Sequence, residues 1–417
     1  MSKKKVDSHF ILRAFQYRNY SLFFGGQSVS LVGTWMQHIA MSWLVYRLTN
    51  SVFILGMVGF LIQIPVFFLT PFAGIFVDRW DRRRLLIITQ ILAVIQAVVL
   101  SILFFLNIIA VWHIIILGII LGLINVFDMP ARHVFVVDII EKKEDLGNAI
   151  ALNSAMVNIA RLLGPSLAGL IIAWAGEGVC FLFNAVSYLA AIIALFLIKT
   201  NPLLDNRNKK LAPWTEFKEG FGYAFGLPLV RSMLFLLALT SLMSMSYQTL
   251  MPVFVKDILK SDARLLGFLM GGSGIGALAG AFYLASRKNI DGLGKAVVFA
   301  SGVFGMSLLL FSLSRNFWFC LFCMLCSGFG LMVQMAGSNT ILQTMVHDDK
   351  RGRVMGLFLT AFVGVMPFGS LLSGWIASLV GTPNTILICG IGVFFGIFIF
   401  GRRVADITIL NELTEIK

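Results

Sequence analysis

Charge is scarce in this chain. Asp, Glu, Lys and Arg make up 13% of its 417 residues, against 58% hydrophobic ones. A soluble domain needs roughly 25–35% charge on its surface, so the composition excludes a water-soluble enzyme or binding module. No G-x-x-x-x-G-K-[ST] run occurs, which removes ATP as an energy source. The glycines of "GGSGIGALAG", with Gly272, Gly276 and Gly280 four apart, follow no strand and suit close helix packing. Cysteine is also sparse, at five. Cys320, Cys323 and Cys326 match the first three ligands of a bacterial ferredoxin run. Gly330 and Leu331 stand where the fourth Cys and its Pro belong, so the three read as packing residues. No metal, no other cofactor and no catalytic constellation is expected.

What the chain has instead is apolar length. About twelve runs, from 20–46 to 384–401, are each long enough to cross a hydrocarbon core of ~30 Å. The expectation is an all-α polytopic membrane protein. Its net charge of +13 is distributed unevenly. With the N-terminus placed inside, the outer loops hold only Arg47, Lys256, Lys260, Arg264 and Arg315, and every other turn is rich in Lys and Arg. That asymmetry puts both termini in the cytoplasm, and the membrane expected is the cell inner (cytoplasmic) membrane. The basic charge is thus topological, and nucleic acid is not an expected partner; the lipid bilayer is. The first apolar run is too long for the core of a cleavable signal peptide.

The longest polar stretch, "TNPLLDNRNKKLAPWTEFKEGFGYAFG", divides the chain. The expected parts are an N-terminal six-helix bundle over 1–199, a cytoplasmic linker over 200–228 and a C-terminal six-helix bundle over 229–417. Trp214, Phe217, Phe221 and Phe225 share one face of a helix lying in the interface; "FILRAFQYRNY" before the first span reads the same way. A shift of 205 residues aligns Gly147 with Gly352, Gly164 with Gly369, Gly169 with Gly374 and Gly176 with Gly381. The halves therefore read as a parallel repeat.

"GIFVDRWDRRR" packs six charges into the turn after the second run. Topology alone accounts for the three consecutive Arg. However, Gly74, Asp78, Arg79 and Arg82 also spell G-x-x-x-D-R-x-x-R, and here the chain resembles the major facilitator superfamily. The resemblance implies a major facilitator fold of 12 transmembrane helices, arranged as two six-helix bundles around a central cavity. It also implies a cytoplasmic gate in which Asp78 docks near the start of the eleventh helix and Arg82 pairs with Asp138. "NVFDMPAR", "NIARLLGPSLAG" and "SLVGTWMQHIAMSWLVYRLTNS" resemble a narrower group, the bacterial enterobactin-exporter-like and macrolide-efflux-like drug:proton antiporters. Gly164 and Pro165 match the helix-five signature of that group, which implies export and protons as coupling ions.

One residue stands out against its surroundings. Arg161 lies within an apolar run, where an Arg costs ~2.5–3.5 kcal/mol to insert. Asp128 precedes the fourth-to-fifth helix turn by about as many residues as Arg161 follows it. At ~1.5 Å per residue both lie ~18 Å deep, which pairs them by depth; Arg132, one turn from Asp128, can share its carboxylate. The repeat places Val333 and Met366 at the corresponding positions. Both a cavity or gating role and buried structural glue fit this central charge cluster.

Polar stripes recur at helical spacing: Gln27, Ser30, Thr34 and Gln37 in the first helix, Asn125 with the charges of the fourth, Ser154 and Asn158 in the fifth, and Ser241, Ser244 and Gln248 in the seventh. They read either as interhelical glue worth ~0.6 kcal/mol per contact or as a lining that faces water and substrate. Met36, Met41, Met245 and Met251 lie beside them and supply adaptable walls. His38 and Asp128 are the titratable candidates. The expected function is secondary export of an amphipathic, siderophore-like small molecule by alternating access, by a chain acting as a monomer. Multidrug or macrolide efflux, a lipid flippase and a membrane sensor are the alternatives.

Overall fold

The computed structural model describes residues 13–199, 221–287 and 291–405. Trp214 and Phe217 of the expected interfacial helix lie outside them; Phe221–Phe225 is helical. Among the described residues there is no strand, and twelve long helices follow one another. They are α1 (Arg18–Thr49), α2 (Val52–Arg79), α3 (Arg82–Phe105), α4 (Val111–Asp138), α5 (Lys143–Ala175) and α6 (Glu177–Leu197). Then come α7 (Pro228–Val253), α8 (Ala263–Ala285), α9 (Leu293–Leu313) and α10 (Phe317–Met345). α11 is built of Asp348–Leu359 and Met366–Val380, joined by a π-helical turn at Thr360–Gly364, and α12 begins with Thr382–Gly396.

Eleven of these are long and apolar enough to cross a membrane. α1 is the exception by composition, although its 32 residues span ~48 Å. Its polar side chains lower its hydropathy without meeting lipid: Gln27, Ser30 and Gln37 are buried. The helix is shielded by its neighbours and needs no apolar perimeter.

Local sequence sets the helix ends. Asp81 caps α3 by accepting the Arg84 N–H at 3.0 Å, and Asn316 caps α10 through the Phe319 N–H at 3.1 Å. Gly176 and Gly381 end α5 and α11 at φ 80° and 84°, a conformation that L side chains adopt only with strain. Gly164 lies where a Cβ would come 2.4 Å from Trp35 Cβ of α1, and Gly369 where one would come 2.6 Å from the Leu242 carbonyl of α7. The repeated glycines thus mark the same turn and the same close crossing in each half. That gives the 205-residue shift a physical basis.

The chain forms two compact units. The first takes Met1–Met41 and Ile64–Asn208, the second Ser42–Gln63 and Lys209–Lys417. In the second, the end of α1 and the start of α2 pack with the later helices: the Phe60 and Phe368 rings lie 5.9 Å apart. The sequence boundary between halves therefore differs from the packing boundary, which cuts through α1 and α2.

In the first unit, the segment before α1 is a 3-10 turn, Arg13–Gln16, held to the start of α5. Asp145 receives Arg13 Nε at 3.0 Å, Gln16 Nε2 at 2.9 Å and Tyr17 OH at 2.7 Å. The hydrogen bond to Asp145, burial and that negative charge push the Tyr17 phenol above its ordinary value, so it remains a donor.

Candidate functional site

The α2–α3 turn divides its arginines among three tasks. Arg82 Nη1 reaches both oxygens of Asp138, at the end of α4, at 2.8 and 3.1 Å. Arg83 donates to the last carbonyls of α6, Leu195 and Phe196, at 2.8 and 3.0 Å, satisfying acceptors that a helix end leaves open. Arg84 pairs at 3.4 Å with Asp81, in the open. Arg79 is exposed. The side chain of Asp78 and the surroundings of Gly74 lie outside what is described. The Arg82–Asp138 pair couples α3 to α4, whatever else it does.

Asp128 is buried inside the first unit, where α3 and α4 meet. One carboxylate oxygen accepts from Thr89 Oγ1 and Gln90 Nε2, each at 2.9 Å, and the other from the Arg132 guanidinium. A buried carboxylate needs this many donors, because its lone pairs receive no help from water. The guanidinium that meets Asp128 is therefore the one a helical turn away. Arg161, which depth matching pairs with Asp128, has its guanidinium carbon 5.1 Å from the centre of the Trp35 ring. A half-buried cation over an indole face gains about 0.5–1 kcal/mol, which offsets part of the insertion cost. The expected sharing of the Asp128 carboxylate by Arg132 is present.

The polar stripe of α1 is bonded to neighbouring helices in this structure. Gln37 Nε2 donates to Gln96 Oε1 of α3 at 3.0 Å, and Asn184 Nδ2 of α6 donates to Gln37 Oε1 at 2.8 Å. Ser30 Oγ meets Gln90 Oε1 at 3.4 Å and Thr34 Oγ1 meets Tyr188 OH at 3.2 Å. Gln27 is buried as well. In this structure the stripe binds α1 to α3 and α6, and Gln90 connects it to Asp128. Ser241 is likewise buried, donating to the Phe362 carbonyl, and Ser244 takes a bond from Gln248 Nε2 at 3.0 Å. The side chains that faced these stripes, Thr89, Gln90 and Gln96 of α3 and Asn184 and Tyr188 of α6, went unremarked in the sequence, because they are scattered among apolar residues.

Other candidates do face outward. Ser154 and His38 are exposed, while Asn158, Arg161 and Asn125 are half-buried. Ser154 and Asn158 bond back onto their own helix, at 3.0 and 2.9 Å, so their polarity needs no partner helix. Pro165 lies inside α5 without breaking it, as Pro130 does in α4. Sequence reasoning overlooked two further outward groups. His133 is exposed one turn from Met129, whose carbonyl its Nδ1 meets at 2.8 Å. Thr340, Gln343 and Thr344 form an exposed polar stripe on α10, detectable as an i, i+3, i+4 pattern. His133 and the α10 stripe lie in the last turns of their helices, whereas Ser154 lies well inside α5, where an exposed polar side chain belongs to a water-filled path rather than to lipid.

A family model described as transmembrane secretion effector matches residues 13–409. The chain is 26% identical to the staphyloferrin A transporter of Staphylococcus aureus over 88% of its own length and 92% of that protein's. It is 27% identical to macrolide efflux protein A of Streptococcus pyogenes, with 90% and 94% covered. In fold it resembles the nucleoside transporter NupG, with a TM-score of 0.72 at 12% identity over 92% of this chain and 98% of that one. A bacterial homologue of the iron transporter ferroportin matches with a TM-score of 0.69 at 17% identity, over 93% and 99%.

Proposed function

The chain belongs to the transmembrane secretion effector family of the major facilitator superfamily, and from that premise we propose that it exports an amphipathic, siderophore-like small molecule. It is a multi-pass membrane transporter, so the finer question is what moves, which way, and at what expense. The reading is proton-coupled alternating access by a monomer in the cytoplasmic membrane, with both termini inside. The observation that carries it is the polar face of α5, where an exposed Ser154 and a half-buried Asn158 lead to the half-buried Arg161. A cation beside neutral hydrogen-bonding groups in a span suits a solute rich in acceptors. The staphyloferrin A relative favours a siderophore-like cargo; the macrolide efflux relative supports drug efflux as the second reading.

In this reading Gly74, Asp78, Arg79, Arg82 and Asp138 form the cytoplasmic gate. Arg161 and the outward side chains of α5 meet the solute. Asp128 with Arg132 forms the internal charge centre, linked through Gln90 to the α1 network. The test is a comparison of spent medium and cell extract with and without the gene, under iron limitation and in replete medium. An iron chelator missing from the medium and trapped in the cells supports siderophore export. Unchanged chelators in a strain newly sensitive to macrolides overturn it in favour of drug efflux.

A further inference from the structure

Between α9 and α10, with α12 behind, lies an apolar groove of about 440 Å³. Its walls are Phe299, Met306, Leu310 and Phe322, and its floor is hollow because Gly302 and Cys326 are small. A Cβ on Gly302 would meet nothing nearer than Ile397 Cδ1 at 4.0 Å. Phe299 and Phe322 are 71% and 59% exposed, which identifies this face as one turned to lipid rather than to the polar stripe of α10. Water needs about 2–4 polar partners in such a space, and the one hydroxyl present, Ser307, donates to the Phe304 carbonyl at 2.7 Å. Left empty, the lining would forfeit its dispersion contacts. The lining suits hydrocarbon.

Charge adds a headgroup. From Leu293 to Met345 the sequence holds no Asp or Glu, and Lys295 and Arg315 are its only cations. Arg315 stands in the α9–α10 turn, two residues beyond the end of α9, the helix whose last groove residue is Leu310. Its Nη1 donates to the Ser312 and Ser314 carbonyls at 3.3 and 2.9 Å, which holds the exposed guanidinium against that end of α9. Trp318, 73% exposed in the first turn of α10, is an indole suited to headgroup depth. We propose that this groove binds one acyl chain of an anionic phospholipid whose phosphate is held by Arg315. The site shares no residue with the charge centre or α5, and it depends only on the chain spanning a bilayer.

The test uses the full-length protein in phosphatidylcholine nanodiscs with a trace of phosphatidylglycerol carrying a mid-chain diazirine. After irradiation, the adducts are mapped by mass spectrometry. They should concentrate on 299–310 and 322–326. Arg315→Gln should lower them about fivefold, the effect of one cation near a membrane surface. Cys326→Phe fills the groove and should remove these adducts while sparing those elsewhere; Gly302→Val serves if that variant does not fold. Equal yield from a phosphatidylcholine probe, adducts spread evenly over the lipid-facing helices, or adducts that persist in a filled groove each overturn the proposal.

Discussion

The phenol of Tyr46, near the end of α1, donates to the carboxylate of Asp257, 211 residues further along the chain. After Pro252 the seventh helix loosens into a π-helical turn, Phe254–Ile258, which carries Lys256 beside Asp257. Lys256 Nζ donates to Asn50 Oδ1 at 2.7 Å and lies 5.1 Å from the Tyr46 ring centre. Two consecutive residues of opposite charge thus fasten one helix end, and within the second unit this clasp explains why α1 beyond Ser42 packs there. π turns often mark sites where a helix must be re-aimed for function.

The clasp should behave as a coupled unit. Tyr46→Phe and Asp257→Asn should each cost about 1.5–3 kcal/mol, the range for a hydrogen bond to a charged group. Together they should cost clearly less than the sum. Melting of the purified single and double variants measures this, and strictly additive losses would break the assignment.

Asp128 gives a sharper contrast. Asp128→Asn removes the countercharge of Arg132, and breaking a buried pair costs about 3–5 kcal/mol. The variant should be unstable and inactive. Adding Arg132→Met should restore most of the stability without restoring transport, because the carboxylate that joins Thr89 and Gln90 is still missing. Recovery of both in the double variant would confine Asp128 to structure.

Arg161 should divide differently. Its guanidinium rests on Trp35, so Arg161→Ala should still insert and fold yet lose export. Arg161→Lys, which cannot reproduce a planar guanidinium, should retain only a small part of it. Whole-cell export, normalised to membrane protein, provides the readout; wild-type rates for Arg161→Ala would remove it from the solute path.

The Arg82–Asp138 pair predicts a change in rate without a change in stability. Its side chains are 18% and 28% exposed, and such pairs are worth about 0.2–1 kcal/mol. Asp138→Asn should therefore shift the melting temperature little while lowering transport at least severalfold if the pair gates the inner side. Unaltered transport would reduce it to a brace between α3 and α4.

Much of this was legible in sequence, for local reasons. The G-x-x-x-D-R-x-x-R loop located the α2–α3 turn, and Asp81, at the third position after Asp78, proved to be the cap that starts α3. Gly176 and Gly381 were recognisable as repeat partners because a positive φ leaves few other choices. The α1 stripe was legible as polar, but not as glue. Gln27, Ser30 and Gln37 define a face, and a face alone does not say whether water or Gln96 and Asn184 lie opposite.

The sequence by itself determined the number and length of the spans, their repeat and the places where helices begin and turn, because hydropathy, caps and glycine backbone angles act within a few residues. Only the tertiary structure decided which charge answers which: Asp128 with Arg132, Thr89 and Gln90, Arg161 with Trp35, Tyr46 with Asp257. Depth along a helix follows from counting residues. Azimuth between helices follows from packing, and in a buried site the direction of a side chain selects its partner.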